Sequence, residues 1–177
     1  GYLDGDGRLI SNPFCYRDPK NAGAMAEMDR KWSFEECYQI AGIQKLDFNT
    51  IYQLYYDVLH RGYIVDAAQT VLFMPDLFAY FLTGKKVCEY SIASTGQLLD
   101  ARKREFSDKI LEEIGIRRDL FAPMVQPGTV IGELTEEIME EMYEEHSDQE
   151  AIRELLRKKH WDFACTDPKE KQKIYGY

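Results

Sequence analysis

The sequence lacks the features that mark several large classes of protein. Its four cysteines are widely separated and form no CxxC pair, which excludes zinc knuckles and dithiol redox motifs. The longest apolar run, "TVLFMPDLFAYFLTG" at 70–84, contains Pro75 and Asp76 and is too short to span a bilayer. We therefore predict a cytoplasmic protein with reduced thiols and no membrane contact.

Positive charge is also scarce. The chain has 22 Lys and Arg residues against 31 Asp and Glu residues, for a net charge of −9. Nucleic-acid affinity depends largely on Lys and Arg neutralising phosphates, so we do not expect residues 1–134 to bind nucleic acid. The acidic stretch 133–150 follows a helical pattern, which is more typical of a solvated face than of a cation site.

Self-sufficient catalytic motifs are absent as well. The sequence contains no GxxxxGK[ST], GxGxxG, HExxH or GxSxG pattern, so it carries no familiar phosphate loop, zinc site or nucleophile elbow. None of its three histidines has a second ligand at metal spacing. No residue can be assigned a catalytic or metal-binding role from a motif alone.

What is present suits a globular chain of about one domain, since 45% of the 177 residues are hydrophobic and 30% are charged. The composition changes after Leu134, where an acidic helical segment is followed by basic helical segments. We place a module boundary between Ile131 and Glu137. The predicted organisation is an α/β domain over 1–134 and an α-helical tail over 135–177.

Cap residues and apolar spacing predict a series of short elements. "DFNTIYQLYYDVLHRG" at 47–62 predicts a helix that begins at Asn49 or Thr50 and ends before Gly62. Its expected apolar face consists of Ile51, Leu54, Tyr55, Val58 and Leu59. We also expect a hairpin of two short strands around 4–7, a capped helix at 33–42, and an amphipathic helix that ends at Gly115. An apolar helix over 66–82 should bend or restart at Pro75 and stop at Gly84. The remaining expectations are a strand or extended loop at 86–95, a buried strand in "PGTVIG" at 127–132, and helices after 134.

Two polar groupings are candidate ligand contacts. Arg17 and Asp18 follow the hairpin, where a guanidinium and a carboxylate could grip sugar hydroxyls, although a surface turn with a local ion pair explains them equally well. Asn49 and Thr50 open the helix at 47–62, where an ordinary cap is the simpler interpretation. Phe48, beside them, is of a residue type that more often packs in a core than forms a ligand platform.

Several long motifs, in the order in which they occur, resemble a known family. "LDGDGRLISNPFCYRDP", "IAGIQKLDFNTIYQLY", "LFMPDLFAYFLTGKKVCEYSIASTGQLLD" and "PGTVIGEL" are similar to the N-terminal domain of rhamnulokinases in the FGGY sugar-kinase family, over about residues 1–134. The resemblance implies part of an actin-like, ribonuclease-H-like α/β fold. It also implies ATP, Mg²⁺ and an L-rhamnulose-type ketose that is phosphorylated on its primary hydroxyl.

The resemblance also has implications for the site. The family's phosphate-binding Gly/Ser-rich turn would precede Gly1, and its catalytic Asp lies in a His-Asp-Thr segment that this sequence does not contain. We therefore expect an incomplete kinase fragment that binds neither ATP nor Mg²⁺ alone and has no catalytic residue. The sugar side remains, with Arg17, Asp18, Phe48, Asn49 and Thr50 as candidate substrate-binding residues.

The tail shows a second resemblance. Residues 135–177, particularly "AIRELLRKK" at 151–159 and "DPKEKQKIYGY" at 167–177, are similar to the helical repeat of RecX-type regulators of recombinase filaments. This resemblance implies a protein partner for the tail. The alternative hypothesis for the chain is thus a non-enzymatic helical binding module.

Overall fold

Short helices and two-residue strands alternate along residues 1–144, which are the residues that the structure, a computed structural model, describes. The helices are α1 (Lys20–Lys31), α2 (Phe34–Ala41), α3 (Thr50–His60), α4 (Gly62–Ala67), α5 (Met74–Thr83), α6 (Tyr90–Ser94), α7 (Asp108–Ile114) and α8 (Glu136–Glu144), with a 3₁₀ turn at Arg118–Leu120. The strands are β1 (Tyr2–Leu3), β2 (Thr70–Val71), β3 (Cys88–Glu89), β4 (Leu99–Asp100), β5 (Glu105–Phe106) and β6 (Met124–Val125).

The strands pair in twos within this region. β1 is antiparallel to β2 and β4 is antiparallel to β5, whereas β3 runs parallel to β6. The hairpin predicted around 4–7 is confirmed in part: its turn is present, but its second strand is reduced to an isolated bridge between Leu3 and Leu9. In the turn, the Asp4 carboxylate accepts the backbone N–H groups of Asp6 and Arg8 over 3.0 and 2.8 Å. Gly7 completes this turn with a φ of 80°, a conformation that glycine adopts without a steric cost.

Helix α3 lies at the centre of the main core. Ile51, Leu54 and Tyr55 are buried as predicted, and α1, α4 and α7 pack against the helix. Leu59 departs from the prediction, since its side chain is 43% exposed. Gly62 does not terminate the helix in a left-handed conformation but begins α4. The apolar face of α3 therefore narrows towards its carboxyl end.

The apolar helix expected over 66–82 is wrong in its first part, whereas the predicted restart at Pro75 is confirmed, because α5 begins at Met74. Ala68 has an extended backbone, and Thr70 and Val71 pair with β1 instead of continuing a helix. These residues are β-branched, a class that suits strands. Pro75 then lies in the first turn of α5, where its missing N–H needs no partner. The predicted end at Gly84 is confirmed by its φ of 69°.

Two predictions of strands also need correction. "PGTVIG" forms no strand, and Val130 within it is 90% exposed. The strand of this region, β6, lies just upstream. The strand or extended loop expected at 86–95 is confirmed only for β3 (Cys88–Glu89), because the helix α6 (Tyr90–Ser94) follows it directly. The Glu89 carboxylate caps α6 by accepting the N–H groups of Ser91 and Ile92.

The capped helices follow the sequence closely. Ser33 and Ser107 accept backbone N–H groups at the starts of α2 and α7, and Gly42 and Gly115 end these helices in the left-handed conformation. In the predicted tail, α8 is present, whereas the helices expected after residue 144 lie outside the described residues. The module boundary near residue 134 stays a prediction.

The thiols of the cysteines in the described region are not paired with one another. Cys15, Cys37 and Cys88 are free thiols, and burial raises the pKa of Cys37 to about 11 and that of Cys88 to about 12. Between residues 1 and 144, no helix combines the length and the apolar character needed to cross a membrane.

A buried carboxylate, Asp76, connects α5 to β3. Its Oδ1 accepts the backbone N–H of Glu89 over 3.1 Å, and its Oδ2 has no hydrogen-bond partner among the described residues. Burial raises the pKa of Asp76 to about 6, with the charge of Glu89 adding to the effect and the Glu89 N–H opposing it. The folded state therefore disfavours the ionised form.

This shift predicts a pH dependence of stability. An unfolded Asp titrates near 3.8, so between about pH 4 and pH 6 the folded state holds the proton more tightly and stability falls as the pH rises. Asp76→Asn should lack this loss. Urea unfolding of both proteins across that range should show that the free energy of unfolding of the variant, relative to that of the wild type, increases as the pH rises. A difference that stays constant with pH would contradict the assignment.

Candidate functional site

A cavity of about 580 Å³ opens between the loop after β1 and α3. Its walls come from segments far apart in the sequence, and most of the lining is apolar. The lining residues are Gly1, Tyr2, Ser11, Asn12, Pro13, Phe14, Cys15, Tyr16, Lys20, Phe48, Thr50, Gln53, Leu54, Asp57, Arg61, Val71, Leu72, Phe73, Met74, Pro75, Ile92, Thr95 and Phe121.

Two aromatic side chains form the rim. Tyr16 and Phe48 are both partly exposed and meet edge to face, with ring centroids 5.7 Å apart and an interplanar angle of 88°. The Arg17 guanidinium lies over the Tyr16 ring, 5.2 Å from its centroid. These contacts place flat apolar surfaces at the mouth of a cavity that also contains polar groups, a combination typical of small-molecule sites.

The floor is organised by the carboxylate of Asp57. Its Oδ2 accepts a hydrogen bond from the Tyr2 hydroxyl over 3.1 Å, and its Oδ1 accepts one from Arg61 Nη1 over 3.2 Å. Arg61 Nη2 donates in turn to Ser11 Oγ over 2.9 Å. Burial and the neighbouring Asp57 charge raise the pKa of Tyr2, which keeps its hydroxyl protonated as a donor. The network therefore connects β1, α3 and the loop after β1.

Lys20, in the first turn of α1, adds a second cation to the cavity. Its ammonium lies over the ring of Phe14, with Tyr56 beside it. Burial lowers the pKa of Lys20 to about 8, although the carboxylates of Asp57 and Asp18 oppose the effect. The amine is thus mostly protonated at neutral pH.

The structure brings together only some of the candidate residues from the sequence. Phe48 and Thr50 line the cavity, whereas Arg17 lies behind the rim. Asp18 does not line it; its Oδ1 accepts the backbone N–H of Lys20, the first residue of α1, over 3.0 Å. Asn49 is buried and bonded within the protein: its Oδ1 accepts the Leu46 N–H over 2.7 Å and its Nδ2 donates to the Thr95 carbonyl over 2.8 Å.

Sequence reasoning missed several polar residues of the cavity. Tyr2, Lys20, Gln53, Asp57 and Arg61 all line it. The signal for the last two was present, since Asp57 and Arg61 are four residues apart in a helical pattern and pair across one turn. The others carry no comparable signal, because only the fold brings them to the same cavity.

This arrangement suits a small neutral molecule with many hydroxyl groups. Hydroxyl, amide, ammonium and guanidinium groups supply both donors and acceptors, while the aromatic rim can cover C–H faces. It does not suit Mg²⁺, which takes oxygen ligands at short distances. Residues 1–144 contain no group of three or more His, Cys, Asp or Glu side chains placed to hold a metal ion.

Comparison with known proteins identifies the family. Residues 2–146 match the model of the N-terminal domain of the FGGY family of carbohydrate kinases. The chain belongs to this family. All of the cavity residues except Gly1 lie inside the matched segment.

Relatives of the FGGY chain include named rhamnulokinases. It is similar to the rhamnulokinase of Bacteroides thetaiotaomicron, with 43% identity over 136 residues that make up 76% of this chain and 28% of that protein. The rhamnulokinase of Enterococcus faecalis is 39% identical over 132 residues, or 75% of this chain and 26% of the relative. The chain therefore spans just over a quarter of the length of these relatives.

Solved structures confirm the predicted fold class. A ligand-bound xylulose kinase from Lactobacillus acidophilus superposes with a TM-score of 0.70 at 17% identity, covering 91% of this chain and 29% of that one. A carbohydrate kinase from Novosphingobium aromaticivorans superposes with a TM-score of 0.62 at 28% identity, covering 78% of this chain and 29% of that one. The chain is thus part of the actin-like, ribonuclease-H-like α/β domain of these sugar kinases.

Both polar atoms of the Asn49 side chain are hydrogen-bonded within the protein, so Asn49 should contribute more to stability than an ordinary helix cap does. Asn49→Ala removes the hydrogen bond to Thr95 at the end of α6 and the one from Leu46 in the loop before α3, so it should lower the free energy of unfolding by about 2 kcal/mol. Asn12→Ala is the matched control, because Asn12 lines the same cavity but is exposed. Equal urea midpoints for the two variants would contradict the assignment.

Asp57 should be equally important for stability. Asp57→Asn removes the charge that Arg61 and Tyr2 face in a largely buried site, and we expect it to lower the free energy of unfolding by about 2 kcal/mol. Asp6→Asn provides the comparison, because the Asp6–Arg8 pair is exposed with a separation of 3.6 Å and should contribute less than about 0.5 kcal/mol. Chemical unfolding measures both, and a similar small change in each would refute the role of Asp57.

Proposed function

We propose that this chain forms the sugar-binding side of a rhamnulokinase-type carbohydrate kinase. The whole enzyme would transfer the terminal phosphoryl group of ATP to the primary hydroxyl of L-rhamnulose, giving L-rhamnulose 1-phosphate. The observation that carries the proposal is a mixed polar and aromatic cavity, built almost entirely from a segment that matches the sugar-kinase family. The rhamnulokinase relatives name the sugar.

The candidate residues from the sequence take different roles in this proposal. Phe48 would cover a C–H face of the sugar, and the Thr50 hydroxyl would bond to one of its hydroxyl groups. Asn49 and Asp18 would act indirectly, because their hydrogen bonds fix the amino-terminal ends of α3 and α1. Arg17 would support the rim through Tyr16. The sugar would thus be oriented by residues that the fold already holds rigidly.

ATP and Mg²⁺ belong to the proposed whole enzyme. Residues 1–144 contain no cluster of carboxylates placed for a metal ion, and the cavity carries two cationic side chains, Lys20 and Arg61. We therefore assign the sugar to this cavity and derive no phosphoryl-transfer step from its residues. The contribution of this chain would be to bind and orient the acceptor, which is a large part of catalysis in reactions of this kind.

The comparisons do not favour the alternative, a non-enzymatic RecX-type module. Similarity to the sugar-kinase family model extends to residue 146. The segments at 151–159 and 167–177, on which the alternative depends, lie outside the described residues. A protein partner for the tail is therefore not part of the function proposed here.

Titration calorimetry on the 177-residue chain tests the proposal. L-rhamnulose should bind, and Thr50→Val should weaken binding about fivefold, because one neutral hydrogen bond contributes about 1 kcal/mol. Thr129→Val, an exposed position outside the cavity, should leave the affinity unchanged. If the chain binds a recombinase filament but not the sugar, the regulatory alternative replaces the kinase proposal.

A further inference from the structure

The ammonium group of Lys20 is in an unusual position for a charged group. Its Nζ is shielded from solvent and has no hydrogen-bond acceptor among the residues that the structure describes, yet the side chain lines the cavity. A buried ammonium has lost its bonds to water, which is costly unless other acceptors replace them. Lys20 therefore needs an acceptor that this region of the protein does not provide.

The neighbours of Lys20 attract its charge without accepting its protons in conventional hydrogen bonds. Its Nζ lies 2.8 Å from the ring centroid of Phe14 and 4.9 Å from that of Tyr56, so both interactions are of the cation–π type. The oxygens of Asp57 are already used by Tyr2 and Arg61. Oxygen atoms of a bound molecule would supply the missing acceptors.

We infer that Lys20 is a substrate-binding, specificity-determining residue, whose ammonium donates a hydrogen bond to an oxygen of the ketose held in the cavity. The inference rests on the proposed function, since it assumes that the cavity binds a ketose. It adds a residue from α1 to the candidates on α3, so the sugar would be held between two helices.

The charges around Lys20 favour an uncharged ligand over an anion. Lys20 and Arg61 supply two positive charges, and Asp57 and Asp18 supply two negative charges close to them. These four charges, which are Lys20 and the groups whose charges act on it, sum to zero, so the surroundings of Lys20 carry no excess positive charge to hold a phosphate. A neutral polyol can accept the hydrogen bond from Lys20 without disturbing this balance.

A pH profile distinguishes this role from a structural one. The pKa of Lys20 is lowered to about 8, mainly by burial, so the ammonium donor is lost as the pH rises through this value. The ionisable groups that face Lys20 are Asp18 on its own segment, Asp57, Arg61 and Tyr56 on α3, Tyr2 on β1, and Cys15 in the cavity wall. Lys20→Arg keeps all of these and removes only the titration of the amine.

The test is titration calorimetry of L-rhamnulose on the 177-residue chain and three variants. Lys20→Met should bind about tenfold to a hundredfold more weakly, because hydrogen bonds to charged groups are stronger than neutral ones. Wild-type affinity should fall between about pH 7 and pH 9, whereas Lys20→Arg should keep a constant affinity over this range. Lys86→Met is the matched control, since Lys86 lies over Tyr80 outside the cavity and should not affect binding.

Urea unfolding of the same proteins separates binding from folding. Lys20→Met should be at least as stable as the wild type, because it removes a buried charge that lacks an acceptor. If wild-type protein binds the sugar and Lys20→Met binds it equally well, the inference is overturned while the proposed function stands. If Lys20→Met loses both binding and stability, and wild-type affinity is constant with pH, Lys20 has a purely structural role. If the wild type does not bind L-rhamnulose, both the inference about Lys20 and the proposed function are overturned.

Discussion

The hydrogen-bonded carboxylate of Asp57 is the constraint on which the cavity depends. It receives the Tyr2 hydroxyl from β1 and the Arg61 guanidinium from the last turn of α3, and Arg61 continues to Ser11 in the loop after β1. Partial burial of a charge requires that partners be in place. Because this network joins β1, the end of α3 and the loop after β1, satisfying one carboxylate also fixes the relative positions of the cavity walls.

The same helix thus contributes to the core and to the site. One face of α3 packs in the core through residues such as Ile51 and Tyr52, while its first turn and its polar face line the cavity. Asn49 holds the start of the helix by hydrogen bonds to Leu46 and Thr95. A rigid helix fixed at both ends can hold Thr50 and its neighbours at a defined distance from the loop opposite, as a binding site requires.

Local features of the sequence predicted the local structure well. The cap at Ser33 and the helix ends at Gly42 and Gly115 are encoded within a few residues, and these predictions are confirmed. The two-residue strands are not encoded in this way: β2 exists because β1 lies beside it, and β6 because β3 does. For the same reason, Phe48 and Thr50 of "FNT" could be singled out from the sequence as residues that line the cavity, whereas Tyr2 and Lys20 gave no local signal, since only tertiary folding brings them into the cavity.

The central claim is that the cavity between the loop after β1 and α3 binds a ketose. Two-dimensional ¹H–¹⁵N NMR of the 177-residue chain, recorded with increasing L-rhamnulose, locates binding without assuming any residue's role. Saturable shifts should concentrate in the backbone amides of 11–20 and 48–61, with little change in α7 or α8. An absence of saturable shifts in these two segments, or shifts confined to other regions, would contradict the claim.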